Sequence, residues 1–127
     1  MTAALVQPQN DARDDLAAVF PKAKVLHRHP LSHAYFLTEG VQHLVMVSGA
    51  GWLVDYIIMS QGRHAMRLPG FQSWRVSLGK GSAGELTCRD EVGCLRLIRP
   101  LHYTDFPYDG FELWLDGPVL GLPQEAT

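Results

Sequence analysis

The stretch VQHLVMVSGAGWLVDYIIMS, residues 41 to 60, constrains the fold of this chain more than any other. Its length is that of a membrane span, but it carries Gln42, His43, Ser48 and Asp55, and the small residues Ser48-Gly49-Ala50-Gly51 interrupt it. Polar and ionisable groups are costly at the centre of a bilayer, so the stretch reads as two buried helices of a globular protein. Thr38 is placed to cap the first, which runs from about Glu39 to Val47. The second runs from Gly51 to Ser60 and ends near Gly62. Apolar residues cover most of both surfaces, which places both helices inside.

Downstream of residues 63 to 70 the apolar period changes from helical to two. Trp74, Val76 and Leu78 alternate with Ser73, Arg75 and Ser77, then Leu86 and Cys88 with Glu85, Thr87 and Arg89. These are half-buried antiparallel strands. A third is expected from Cys94 to about Tyr103 and a fourth from Phe111 to Asp116, with Val119 to Leu122 as a short edge. Upstream, a short helix is expected from Asn10 or Asp11, with Ala12, Leu16, Val19 and Phe20 on one stripe and Pro21 as its stop, lying over the sheet as a lid. Lys24 to Arg28 reads as a short strand ended by Pro30. The expected fold is α+β: an antiparallel meander of about four to five strands, with the two buried helices packed on one face and the short N-terminal helix beside it. A flexible N-terminus over 1–10, a single domain over 11–122 and a tail over 123–127 complete the division.

With 127 residues the chain is the size of one domain. Its 11 basic and 13 acidic residues, without a run of like charge, argue against a nucleic-acid grip. Two cysteines and an N-terminus that turns polar after six residues suggest a reducing, cytoplasmic setting. A four-residue turn at Asp90-Glu91-Val92-Gly93 would set Arg89 opposite Cys94 and Cys88 opposite Leu95. The two sulfurs would then lie on opposite faces, where they cannot bridge.

The stretch HRHPLSH holds His27, His29 and His33, three of the six histidines. Extended backbone would put His27 and His29 on one face, and His33 or His43 could complete a three-histidine set with an open position, as catalytic zinc requires. A small metal-dependent hydrolase or a metal-stabilised sensor is the enzyme reading that follows. No carboxylate or thiolate stands clearly beside the cluster, so histidines exposed around a proline turn, with no cofactor, are the plainer account. GKGSAG, Gly79 to Gly84, matches a glycine-rich phosphate loop in letters only, because a strand rather than a helix follows it, and it reads as a hairpin loop.

In YTDFPYDG, Asp105 and Pro107 suit a turn anchored by Phe106, with Tyr103, Asp105 and Tyr108 on its rim as a recognition surface. Asp55, among apolar neighbours, needs a hydrogen-bond partner or a pocket. Trp114 falls on the parity opposite Phe111, Leu113 and Leu115, sharing an outer face with Arg96 and Ile98. It is either covered by the N-terminal helix or anchors a partner or a second copy of the chain.

The segments TEGVQHLVMVSGAGWLVDYIIMSQ, FQSWRVSL, SAGELTCRDEVG, YTDFP and PVLGLP carry the motifs Gly49-Ala50 with Trp52-Leu53, Phe71-Gln72 with Trp74, and Thr104-Asp105-Phe106-Pro107. Together, over about residues 25 to 122, the chain resembles an uncharacterised family of small proteins encoded by bacteria, phages and integrating mobile elements. That resemblance hands over no catalytic residue. It implies a non-enzymatic protein that binds a host protein, including defence components, as inhibitor or accessory. The partner-binding residues expected are Trp114, Arg96, Ile98, Tyr103, Asp105 and Tyr108, with no nucleic acid and no membrane involved.

Overall fold

The computed structural model of the protein describes residues 19–63, 66, 70–79, 83–102, 104 and 106–126. Its strands are β1 (Leu26–Arg28), β2 (Phe36–Thr38), β3 (Phe71–Leu78), β4 (Gly84–Arg89), β5 (Leu95–Leu101), β6 (Phe111–Asp116) and β7 (Val119–Gly121). Its helices are α1 (Glu39–Ser48) and α2 (Gly51–Ser60), and a 3-10 turn covers Pro123–Glu125. The strands form one sheet in the order β1-β2-β7-β6-β3-β4-β5, antiparallel except where β2 and β7 run parallel. The sheet is thus a seven-stranded mixed one, and the expected antiparallel meander of four to five strands is incorrect.

Two short strands account for that difference. In β2 all three residues, Phe36, Leu37 and Thr38, are buried, so no apolar alternation marks it and its sequence merges with the helix cap. The segment expected as an edge, β7, is likewise buried at all three residues and lies between β6 and β2, in the middle of the sheet. The expected N-terminal helix falls mostly outside the described residues, and Val19 and Pro21 occupy turns.

The first helix forms as its capping signals require. The Thr38 hydroxyl accepts the Val41 N–H, and Gly49 closes α1 in the left-handed conformation at φ 69°, its N–H bonded to Val45 O. This sharp end turns the chain directly into α2. Val41, Leu44, Leu53, Val54, Ile57 and Ile58 pack against Trp74, Val76, Leu86, Cys88, Leu113, Leu115 and Leu120 to make the main core. Gln72 is buried within it and fully engaged: it exchanges two amide hydrogen bonds with Gln61 at 3.0 and 2.9 Å and accepts the Trp74 indole N–H at 3.0 Å. This network ties the end of α2 to β3. On the opposite sheet face Phe20, Ala23, Leu26, Phe36 and Val119 form a smaller core. Phe20 lies against Gly121, where any Cβ would come within 2.5 Å of its ring.

Beyond Leu122 the chain stays packed on the domain through the Pro123–Glu125 turn. Glu125 is buried and its backbone carbonyl accepts the Lys22 N–H. The β4–β5 hairpin also differs from its expected register: Arg89 pairs with Leu95 and Cys88 with Leu97, with a bulge between. Asp90 is the cause. Its carboxylate accepts the Val92 and Cys94 N–H groups and the Arg96 Nε–H, so the turn extends through Cys94. Cys88 is buried, Cys94 is exposed, and both are free thiols.

Candidate functional site

The histidine stretch wraps around one buried side chain. His29 is fully buried, and its Nδ1 accepts the N–H groups of Leu31 at 3.2 Å and Ser32 at 3.0 Å. A nitrogen that accepts carries no proton, so the proton sits on Nε2, which donates to Asp55 Oδ1 at 2.8 Å. Both ring nitrogens are occupied, and neither is open to a metal ion. His27 is half-buried on β1, His33 is exposed in the turn and His43 is exposed on α1. Among the described residues no group of three or more His, Cys, Asp or Glu is disposed to hold an ion. The three-histidine site therefore does not assemble, and Asp55 has the structural partner it requires. A cleft of about 560 Å³ lies beside this pair, lined in part by His27, Gln42, Val54 and Asp55.

Of the partner-binding residues expected from the sequence, the described ones, Trp114, Arg96, Ile98 and Tyr108, are spread over β5, β6 and the loop before β6. Trp114 does lie on the face opposite Leu113 and Leu115, but it is half-buried against the smaller core, 5.5 Å from Phe71, with its indole N–H donated to Glu112. Ile98 is exposed, yet it lies on β5, three strands from β6, roughly 14 Å away at ordinary strand spacing. Arg96 is bound to Asp90 at 2.8 Å. Tyr108 is exposed and packed on Phe106 and Phe111. Tyr103 and Asp105 lie outside the described residues.

A different constellation forms where α2 crosses the far edge of the sheet. Register alternation decides which groups face it. Gly79 donates its N–H to Ala83 O, so Ser77, Arg75 and Ser73 of β3 exchange backbone hydrogen bonds with Glu85, Thr87 and Arg89 of β4. Gly84, Leu86 and Cys88 then bond outward to Leu101, Arg99 and Leu97 of β5. The backbone of Ile98 and Pro100 is left facing away from the sheet. This explains how a proline is accommodated in a seven-residue strand: its missing donor lies on the outer edge.

The side-chain parity is equally informative. Leu97, Arg99 and Leu101 share the helix-facing side with Cys88 and Leu86, which places a charged residue between two inward leucines. The Arg99 guanidinium lies 4.7 Å over the Tyr56 ring, and Tyr56 stands edge-on to the buried Trp74 at 6.3 Å. Trp52, one helical turn before Tyr56, is 39% exposed. Together with Leu86, Pro100, Leu101, His102 and Thr104 these residues line an open cleft of about 630 Å³ between α2 and β5. Sequence reasoning missed it, although two signals were present: the Trp52–Tyr56 spacing on one helix face and Arg99 at an inward position.

Among the described residues, no helix is long and apolar enough to cross a membrane. No curated protein and no solved structure is similar to the chain at a significant level. Its sequence does match a family of unknown function over residues 11–126, nearly its whole length, and the chain therefore belongs to that family, DUF6876.

Proposed function

We propose that the chain is a binding protein without a catalytic centre of its own, and that it holds an extended segment of a partner protein along β5. One observation carries this reading: β5 is the last strand of the sheet, its outer edge has no neighbouring strand among the described residues, and a cleft with exposed aromatic and cationic groups runs beside it. A segment added to such an edge gains main-chain hydrogen bonds from the edge and side-chain specificity from the adjoining cleft. Pro100 and the arginines limit indiscriminate pairing, as edge strands require. If a phage or integrating element carries the chain, as the family resemblance implies, the segment would come from a host protein of the cytoplasm.

The test is selection of displayed extended peptides on the untagged protein, followed by amide NMR with the selected peptide. Shifts at Ile98 and its neighbours on β5 are expected. Peptides that perturb only other surfaces, or a failure to select any, would overturn the reading. So would stoichiometric zinc in protein prepared without chelator, which would restore the hydrolase alternative built on His27, His29 and His33.

A further inference from the structure

Resting on that reading, we infer that the segment bound along β5 is acidic and sets a carboxylate against Arg99 and His102 at the cleft. Among the described residues, those lining this cleft include the cationic side chain of Arg99, the imidazole of His102 and two aromatic side chains with polar hydrogens, Trp52 and Tyr56, and no carboxylate. Trp52, Arg99 and His102 are exposed at the cleft, and a donor-rich surface with a fixed positive charge is complementary to an anion.

The Arg99 guanidinium carbon lies 4.7 Å from the centre of the Tyr56 ring, a cation–π contact that leaves its N–H donors available for an acceptor. Arg28, Arg75, Arg89 and Arg96 each donate a side-chain hydrogen bond to a carbonyl or carboxylate of the fold. Arg99 has no such acceptor among the described residues and is exposed at the cleft. Its donors, without an acceptor among the described residues, suit a bidentate acceptor brought by the partner.

The same charges argue against a second copy of this chain as occupant. Two β5 strands paired antiparallel about Ile98 would set Arg96 of each against Pro100 of the other, bringing four arginines to the joint and no carboxylate from either strand.

The experiment compares three extended peptides of one apolar frame, with Glu, Gln or Lys at alternate positions, by calorimetry at low salt. The Glu peptide is expected to bind at least about tenfold tighter than the Gln peptide, a preference that shrinks as salt rises. In Arg99→Gln the preference should fall below about threefold while affinity for the Gln peptide changes less than twofold, and Arg99→Lys should restore only part of it. Equal binding of Glu and Gln peptides, with Ile98 amide shifts in both, would overturn the acidic preference and leave the β5 reading standing. No binding by any of the three would overturn both. Tight binding of benzoate to the cleft without a shift at Ile98 would identify a small-molecule site and overturn the peptide inference.

Discussion

Glu125 Oε1 accepts the Thr38 hydroxyl at 2.5 Å, a contact that joins the last turn of the chain to the cap of α1 across 87 residues. The same carboxylate takes the Leu122 N–H at 2.9 Å and the Gly40 N–H at 3.2 Å, while Thr38 takes the Val41 N–H at 3.3 Å. A helix N-terminus leaves four N–H groups without internal partners and favours negative charge, and Glu125 supplies both needs from the far end of the sequence. Replacing it by alanine leaves a buried hydroxyl and two N–H groups unpaired. Glu125→Ala is expected to cost about 2–3 kcal/mol in urea denaturation. A loss below ~0.5 kcal/mol would show that water replaces the carboxylate.

Gly40 is the local counterpart of this contact. A Cβ there would come 2.8 Å from Glu125 Oε2 and from Leu122 Cδ1, so alanine must push the carboxylate off the cap despite its better helix propensity. Gly40→Ala is expected to destabilise the native protein and to cost less in the Glu125→Ala variant, where only the Leu122 contact remains to be relieved. Additive effects in the double variant would refute the proposed clash.

His29 and Asp55 form a second long-range tie, between the turn after β1 and the middle of α2. Asp55→Ala is expected to cost about 1–2 kcal/mol, and His29→Ala about 3 kcal/mol, because the latter also vacates a buried ring and strips two backbone N–H groups of their acceptor. The double variant should be less destabilised than the sum of the two singles. Strict additivity in denaturant titrations would show that the 2.8 Å contact contributes nothing.

The sequence made α1 legible to within a residue because both its ends carry their own chemistry, Thr38 as cap and Gly49 as stop, and the start of α2 follows from that stop. The long strands β3, β4 and β6 were legible from alternation, since one face packs on the helices and the other faces less buried surroundings. Buried runs of three residues show no such period, which hid β2 and the central place of β7. The cleft was hidden for a related reason. Trp52, Tyr56, Arg99 and His102 are brought together by strand order, and alternation does not encode which strands are neighbours. His29 was misleading because the backbone N–H groups that occupy its Nδ1 arise only from the shape of the following turn.

The two thiols should differ sharply in reactivity. Burial first, and the nearby Asp90 charge second, push the Cys88 thiol up to about 12, whereas Cys94 is exposed. Iodoacetamide at pH 8 is expected to label Cys94 alone in the folded protein and both cysteines in urea, read by peptide mass spectrometry. A thiol raised above its unfolded value contributes stability that is intact below about pH 9 and lost as pH rises toward about 12. Native labelling of Cys88 at the rate of Cys94 would refute this assignment.

Asp90 controls the entrance to β5 and should give the protein an acid-sensitive hairpin. The Arg96 hydrogen bond, helped by the Cys94 and Val92 N–H groups, holds its carboxyl below the ordinary value of 3.8. A lowered carboxylate contributes stability that is present above the ordinary value and disappears as pH falls through the lower folded value. Asp90→Asn is therefore expected to be less stable than the native protein at pH 7 and indistinguishable from it near pH 2. In the native protein, hydrogen exchange of the Val92 and Cys94 amides should accelerate relative to β3 amides as the carboxylate protonates. Because these bonds fix where β5 begins, Asp90→Asn should also weaken peptide capture at Ile98 at neutral pH. Equal stability deficits for Asp90→Asn at pH 2 and pH 7 would show that the side chain acts through packing rather than charge.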